Sequence, residues 1–405
     1  MDKFILHCDL NAFFASVEEV RNTELRAYPM AVCGNPENRH GIILAKNEKA
    51  KAFGIKTAET IWQAQKKCPN LILVPPHHKE YAKYSRIVNE IYLRYTDLVE
   101  PFGIDESWLD ITGSAHLFGT PVQIADELRH VVKSETGLTI SVGVSFTKAF
   151  AKLGSDYKKP DATTVITREN YKEIVWKLPV TDLLFVGRSA KRTFERLGIS
   201  TIGELAQSPR ETISALLGKT GETIHDYANG LDLSPVQSAF AESDPKSVGR
   251  GITFPHDLTD EEEIRTGITI LSDDVAARLR KHHLKAGVVS LTVRDPNFKT
   301  TSRQKTLSSP THLEHDITDA CMELYRMYYA SRKTPVRMLT VTVSSLVDEE
   351  AAGLLQFSLF GNDEEHERAE RMELAIDKIR SKFGRNAMKK GSFLNSGFSI
   401  REKED

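Results

Sequence analysis

Cysteine is scarce. The chain holds four in 405 residues, Cys8, Cys33, Cys68 and Cys321, and no two are spaced as a metal knuckle or a disulfide framework would require. A reducing cytoplasm is the compartment this usage suggests. Long apolar runs are missing too: none approaches the ~18 residues of a membrane span. The opening Met1-Asp2-Lys3-Phe4-Ile5-Leu6-His7-Cys8-Asp9 is interrupted by acid and polar side chains too soon for a secretory signal. Net charge is nearly absent, with 54 Lys and Arg against 56 Asp and Glu for a total of −2. The whole chain does not advertise a polyanionic partner, so any basic surface must be local. What remains is a globular balance of 40 % hydrophobic and 27 % charged residues. The length suits two to four domains at roughly 150 residues each.

Two adjacent acids, Asp105 and Glu106, break an apolar strand pattern formed by Pro101-Phe102 before them and Trp108-Leu109 and Ile111 after. Neighbours on a strand point to opposite faces, so the two acids part company unless a tight turn lies between them. A polar group left unpaired in apolar surroundings costs roughly 2–7 kcal/mol, and a divalent cation is the simplest compensation for two carboxylates. Read alone, the stretch also fits a hairpin turn with solvated acids. Asp9 poses the same choice. It ends a strand over Phe4-Ile5-Leu6, just before a helix that Asn11 would cap. Sites form at such strand ends in α/β folds, and a plain helix-entry acid satisfies the pattern as well.

The chain then alternates. Gly41 to Ala45 reads as a strand, and Lys46 to Gly54 as a helix closing on its glycine. Lys46, Lys49, Lys51 and Lys56 suit either a phosphate or plain solvent. Residues 79–96 carry Tyr81, Tyr84, Ile87, Val88, Ile91 and Tyr92 at helical spacing, the mark of a core-facing helix. A helix near 121–135, a strand over 138–145, a helix over 147–155 and a strand from Asp161 to Ile166 complete a mixed sheet with helices on one side. Residues 178–235 are helical with short turns. There Phe185-Val186-Gly187-Arg188 and Leu217-Gly218-Lys219-Thr220-Gly221 each set glycine beside cations at a helix start, where backbone amides can hold a phosphate.

A polar linker over 236–245 leads to a unit with segregated charge. Residues 257–274 hold seven acids and one arginine, whereas 278–305 hold eight lysines or arginines against Asp295. Strands over 288–294 and 300–306 would carry cations on alternate residues, a spacing suited to a sugar-phosphate backbone or to a guarded sheet edge. The last strand is Leu339 to Val343. The tail from about Val347 is acidic and helical apart from Gln356-Phe357-Ser358-Leu359-Phe360-Gly361. That apolar element either docks back on the protein or anchors a partner.

Together these segments resemble the Y-family translesion DNA polymerases, in their bacterial polymerase IV type. The resemblance is carried by Asp9-Leu10-Asn11-Ala12-Phe13-Phe14-Ala15-Ser16-Val17-Glu18, by Ile104 to Thr112, and by Ser141-Val142-Gly143-Val144-Ser145 with Lys152 and Lys159-Pro160. The paired hairpins near 185–222 and Ser247-Val248-Gly249-Arg250-Gly251 add to it. It covers residues 1 to about 345 and the tail element. The fold it implies is an α+β multidomain right hand. The palm, with a mixed or antiparallel sheet, takes 1–10 and 78–166, and small fingers take 11–77. A helix-hairpin-helix thumb follows at 167–235, then the linker 236–245, an α+β little finger at 246–345 and a tail at 346–405. The implied activity is template-directed, low-fidelity addition of deoxynucleotides to a primer 3′ end, in translesion synthesis and DNA repair, by two-metal phosphoryl transfer.

Roles follow from the same resemblance. Asp9, Asp105 and Glu106 would be catalytic and, with the Leu10 carbonyl, would hold two Mg²⁺ ions. Phe13, Phe14 as steric gate, Lys51 and Lys159 would meet the incoming dNTP. Gly187, Arg188, Gly218, Lys219, Gly221, Arg250, Arg294, Lys299, Arg303 and Lys305 would bind primer-template DNA. Gln356, Leu359 and Phe360 would bind the sliding clamp, the beta subunit of the replicative polymerase. A monomer without membrane attachment, in the bacterial cytoplasm at the nucleoid, completes the expectation. Asp110 reads as structural.

Five positions depart from the family pattern. Glu48 replaces a tyrosine that would touch the triphosphate, and because a carboxylate there is repulsive it should turn away or pair with a lysine. Lys51 replaces arginine and loses the bidentate fork. Leu44 is bulkier than the small residue usual over the nascent base pair. Phe185 replaces a glycine of the first hairpin, and Gly103 stands where serine is common, with little effect expected. Two rival readings are a different palm enzyme, such as a nucleotide cyclase, and a DNA-binding accessory without catalysis. The first has no need of the hairpins or the basic last unit, and the second no need of three intact acids.

Overall fold

Strand β1 (Ile5–Leu10) is buried along its whole length, so its two faces feed two different cores. A computed structural model describes residues 3–34, 41–241, 244–332, 334–349 and 363–388. The chain divides into two compact units, Met1–Ala241 and Glu242–Asp405.

In the first unit, β2 (Met30–Cys33), β3 (Ile43–Lys46) and β4 (Ile72–Val74) make a small sheet of order β3-β2-β4. The larger sheet runs β5-β6-β1-β7-β8, with β5 (Val99–Pro101), β6 (Glu106–Asp110), β7 (Ile140–Ser145) and β8 (Thr163–Ile166). β1 is antiparallel to β6 and β7, and only β7 and β8 run parallel. The sheet is mixed, as expected, but helices cover both faces rather than one. Leu6, Cys8 and Leu10 pack with Val88 and Ile91 of the His78–Tyr92 helix and with Ile124 and Leu128 of the Pro121–Thr136 helix. The Lys148–Tyr157 helix covers the opposite face, where Ile5, Trp108 and Ala151 meet. Gly143 permits that approach: a Cβ at this position would stand 1.9 Å from the Ala151 carbonyl oxygen. All six residues of β7 are buried, which is the pattern of a strand covered twice.

Helices Arg188–Leu197, Ile202–Gln207 and Arg210–Ala228 follow, packed on a core of Phe194, Ile202, Leu205, Ile213 and Ile224. The first part of the expected linker is not free. Val236 is buried against Ile5, Trp108 and Ala151, and the Gln237 N–H donates to Glu100 Oε2 at 2.8 Å.

The second unit is an antiparallel sheet of order β11-β10-β12-β9, with β9 (Ser247–Leu258), β10 (Leu284–Arg294), β11 (Thr300–Thr311) and β12 (Val336–Asp348). Helices Glu261–Lys281 and Glu314–Tyr328 share a core with its inner face. The helix Asp363–Phe383 docks on this unit by charge. The Arg280 side chain, 3 % exposed, pairs with Glu373 and with Asp377. No described helix is long and apolar enough to cross a membrane.

Candidate active site

Antiparallel register sets Asp9 directly opposite Glu106. Directly opposed residues project to the same face, so the two carboxylates stand side by side. Asp105 precedes β6 and is tied to the same place, because its carbonyl accepts from the Leu10 N–H at 2.9 Å. The turn that brings it there runs through Gly103 at φ 95°, a conformation that glycine adopts without strain. Glycine at 103 therefore has a backbone reason that the sequence comparison alone did not supply. Asp9, Leu10, Asp105 and Glu106 all line one cavity of about 510 Å³. Asp110 lies outside it and binds Thr112, accepting from its N–H at 2.9 Å and its hydroxyl at 2.5 Å. That is the structural role expected of it.

The charges around these acids are uneven. Burial raises the Asp9 carboxyl, against the pull of Lys159 and Lys152. Burial raises Asp105 as well, and the charges of Asp9 and Glu106 push it the same way. Burial acts on Glu106 too, but contacts with His7 and Lys152 outweigh it and hold that carboxyl at about 2. Lys152 Nζ lies 2.9 Å from Glu106 Oε2 and 3.3 Å from Asp9 Oδ2. Lys159 Nζ lies 2.6 Å from Asp9 Oδ2 and 2.8 Å from Asp156 Oδ1. His7, fully buried, places Nε2 3.2 Å from Glu106 Oε2 and Nδ1 2.8 Å from the Ser155 hydroxyl. Burial keeps this ring neutral. The Ser155 hydroxyl in turn donates to the Lys152 carbonyl at 2.8 Å, which ties the ring to the helix that carries Lys152.

The sequence alone points to no role for His7, Lys152 or Asp156. A signal existed for His7, which sits two residues before Asp9 and so shares its face. Asn11 does not cap the helix, contrary to the expectation from sequence. The cap position is Ala12, at φ 47°. Asn11 instead joins strands: Nδ2 donates to Ser141 Oγ at 2.9 Å, and Oδ1 accepts from the Asp161 N–H at 2.8 Å.

Phe14 and Lys159 line the same cavity, as do Leu44, Glu48 and Lys51. The Phe14 ring is stacked on Tyr81, centroids 4.1 Å apart and planes 11° off parallel. Phe13 also borders the cavity but is 4 % exposed and belongs to the core. The Glu48–Lys51 departure resolves as a pair: their charged atoms lie 3.3 Å apart, with both side chains more than half exposed.

Comparison with known proteins decides the family. The model of the impB/mucB/samB family matches residues 8–156, and the model of its C-terminal domain matches 245–359. DNA polymerase IV of Acetivibrio thermocellus is 45 % identical over 394 residues, covering 97 % of this chain and 98 % of the relative. The chain belongs to the Y family of DNA polymerases. DNA polymerase IV of Clostridium kluyveri, at 37 % identity, covers 97 % of this chain and 99 % of its own. The fold agrees: a Y-family DNA polymerase chimera superposes with a TM-score of 0.74 at 21 % identity, covering 85 % of this chain and 99 % of that one. This Y-family polymerase is therefore a DNA-directed DNA polymerase with the right-hand architecture, of a family that depends on divalent metal ions.

The remaining sequence-predicted residues of the polymerase fall into two groups. Gly187 precedes the Arg188–Leu197 helix as its cap residue, so Arg188 opens that helix. Gly218, at φ 61° and ψ −150°, breaks the Arg210–Ala228 helix, and Lys219 begins its second half. Gly221 lets the two halves touch, since a Cβ there would meet the Ile213 carbonyl oxygen at 2.5 Å. Phe185, where the family has glycine, adopts φ 70°.

In the second unit the predicted row of cations is not on one face. Arg303 and Lys305 stand opposite Leu291 and Val289, both buried, so they point toward the helices. Lys305 pairs with Glu323, and the Arg303 guanidinium lies 5.3 Å from the Tyr328 ring centre. Arg250 stands opposite buried Val341, on the helix side, with Asp274 at 4.0 Å. Arg294 is on the other face, where Ser290, Thr292, Ser302 and Thr342 share its parity. Lys299 occupies the β10–β11 turn, its N–H donating to Asp295 Oδ1 at 2.9 Å. Gln356, Leu359 and Phe360 lie outside the described residues.

Proposed function

We propose that this polymerase extends a primer 3′ end on a DNA template with low fidelity, in translesion synthesis, from the cavity that Asp9, Asp105 and Glu106 share. The observation that carries the reading is the convergence of these three acids, from β1, the β5–β6 turn and the start of β6, on one cavity that Phe14 and Lys159 also line. The donor set fits Mg²⁺. It consists of oxygens only, two of its carboxyls are raised by burial, and Glu106 Oε2 is buried without a well-directed hydrogen bond. Asp9, Asp105, Glu106 and the Leu10 carbonyl would hold two Mg²⁺ ions. Bound there, the ions supply Lewis acidity toward the primer hydroxyl and charge neutralisation for the triphosphate and the leaving pyrophosphate.

The chain's own side chains prepare the site. His7 and Lys152 fix Glu106 in its ionised form. Lys159, now on Asp9 and Asp156, is within reach of a triphosphate entering the cavity. The Phe14 ring, backed by Tyr81, presents a flat wall to the sugar and leaves no room for a 2′-hydroxyl. In the thumb, Gly187 with Arg188 and Gly218 with Lys219 and Gly221 offer helix starts to backbone phosphates. In the little finger, the hydroxyl-rich sheet face with Arg294 offers donors for phosphate oxygens, and Lys299 adds a cation at the turn. Arg250, Arg303 and Lys305 reach DNA only around the sheet edge. Gln356, Leu359 and Phe360 form the sliding-clamp anchor of a monomeric enzyme working at the bacterial nucleoid.

Asp105→Ala and Glu106→Ala should each abolish Mg²⁺-dependent primer extension while DNA binding persists. EDTA should reproduce this loss in the wild type, and added Mg²⁺ should reverse it. A variant that still extends primers would remove the acids from the reaction.

A further inference from the structure

Three lysines line the cavity, Lys46, Lys51 and Lys159. Two of them are already occupied. Lys159 holds Asp9 at 2.6 Å and Asp156 at 2.8 Å, and Lys51 holds Glu48 at 3.3 Å. Lys46 has no carboxylate at ion-pairing distance among the described residues. Among the described residues its ammonium donates only to the Thr57 hydroxyl, at 3.2 Å. A half-buried ammonium with a single neutral partner is a charge without its counter-ion. Burial and the nearby Lys51 lower its pKa, and the more distant carboxylates of Glu48 and Glu59 offset this only in part.

The mount of this cation is rigid. Lys46 ends β3 in register with Ala31. The next residue, Asn47, is buried and bound on every side: Oδ1 accepts from the Met30 N–H at 3.1 Å and the Ala50 N–H at 2.9 Å. Its Nδ2 donates to Glu19 Oε1 at 2.8 Å and to the Tyr28 carbonyl at 2.9 Å. Leu44, Ala45 and Lys46 all line the cavity, so Lys46 continues the wall that Leu44 begins. The other lysine of this stretch is spent elsewhere, because Lys49 donates to the Ala27 carbonyl at 2.9 Å.

We infer that Lys46 is the cation that receives the phosphate charge of the incoming nucleotide, in place of the role Lys51 gives up to Glu48. The anion is supplied by the substrate, and a fixed strand end makes the site ready before binding. The inference rests on the cavity being the nucleotide site proposed above.

The test is single-turnover insertion over a range of dNTP concentrations, giving an apparent nucleotide Kd and a maximal rate, with DNA affinity measured by fluorescence anisotropy. Lys46→Met keeps the aliphatic stem and removes the charge, and Lys46→Arg restores the charge. Lys46→Met should raise the nucleotide Kd by at least about tenfold, the loss expected for a hydrogen bond to a charged group. Lys46→Arg should recover most of it, Lys51→Ala should cost less than Lys46→Met, and DNA affinity should not change. An unchanged nucleotide Kd in Lys46→Met overturns the inference. So does a loss that appears in DNA affinity instead, which would assign the cation to a template phosphate. If the wild type extends no primer at all, the reading of the cavity fails; if it extends normally and Lys46→Met matches it, only the role of Lys46 fails. A thermal melt of each variant separates loss of fold from loss of charge.

Discussion

Phe14 is held by what lies behind it. Its ring is stacked on Tyr81 at 4.1 Å, and the Tyr81 hydroxyl donates to the buried Glu18 at 2.6 Å. On the proposed role of Phe14, a wall backed in this way would not yield to an extra oxygen on the sugar. Phe14→Ala should therefore raise ribonucleotide insertion relative to deoxyribonucleotide insertion by on the order of tenfold or more, the scale on which an unpaired or excluded group discriminates. Equal sugar selection in both proteins would reject the gate. Phe185 makes a prediction about stability rather than chemistry. At φ 70° an L residue carries strain of about 1–2 kcal/mol. Its ring, more than half exposed, meets only Tyr227 at 6.0 Å among its ring contacts. Phe185→Gly should melt no lower than the wild type, and Phe185→Val should melt lower than both, since β-branching suits a left-handed backbone least. The reverse order would mean that the Tyr227 contact outweighs the backbone. At this scale the residue types were legible. Asp9, Asp105, Glu106 and Phe14 reach one cavity, while Arg250, Arg303 and Lys305 do not share a face with Arg294, because register rather than composition chooses the face.

Secondary structure was legible wherever period and breakers agreed. The strand ending at Asp9, the helix over 147–155 and the helix over 79–96 are present. What periodicity could not supply was the second layer of helix on the larger sheet. β7 is short, small-residued and buried on both sides, and a six-residue run of small residues does not say what covers it. Gly143 is the residue on which that layer depends. With the Ala151 carbonyl oxygen 1.9 Å and the Ser155 amide nitrogen 2.5 Å from a would-be Cβ, the obstacle is backbone and cannot rotate away. Gly143→Ala should destabilise the first unit by about 3 kcal/mol, at the upper end for overpacking. It should also lower activity, because the same helix carries Lys152 to Glu106. A thermal melt with an unshifted transition would show that the helix can lift without cost.

Charge was distributed in the sequence in a way that only the folded units explain. The net charge of −2 hides an acidic helix start, a basic strand pair and an acidic tail. In the second unit much of that charge is spent internally: Arg280 on Glu373 and Asp377, Arg380 on Asp273 at 2.9 Å, Lys305 on Glu323. Removing one partner of a buried pair leaves a charge uncompensated, at a cost of about 3–5 kcal/mol. Asp377 still faces Arg280, so Glu373→Ala should fall near the lower figure, seen as a lowered transition for the second unit in a melt of the full chain. An unchanged transition would make the tail helix a passenger. Further along the chain, Leu359→Ala with Phe360→Ala should remove clamp stimulation of primer extension and leave distributive synthesis intact. Equal stimulation of the double variant would show that these residues serve the protein itself.

The sequence by itself determined the family, and it singled out the residues on which the proposed chemistry rests: the carboxylates, the aromatic ring and the glycine-cation pairs. Those are properties of residue type and local spacing, and local spacing is what a linear chain preserves. Tertiary structure decided the partners. It set Glu106 against His7 and Lys152, and made Asn11 a strand tie rather than a cap. Those outcomes depend on antiparallel register and on helices packing across a sheet. Both join residues more than a hundred positions apart, such as Asp9 with Lys152, and no period in the sequence encodes such a distance.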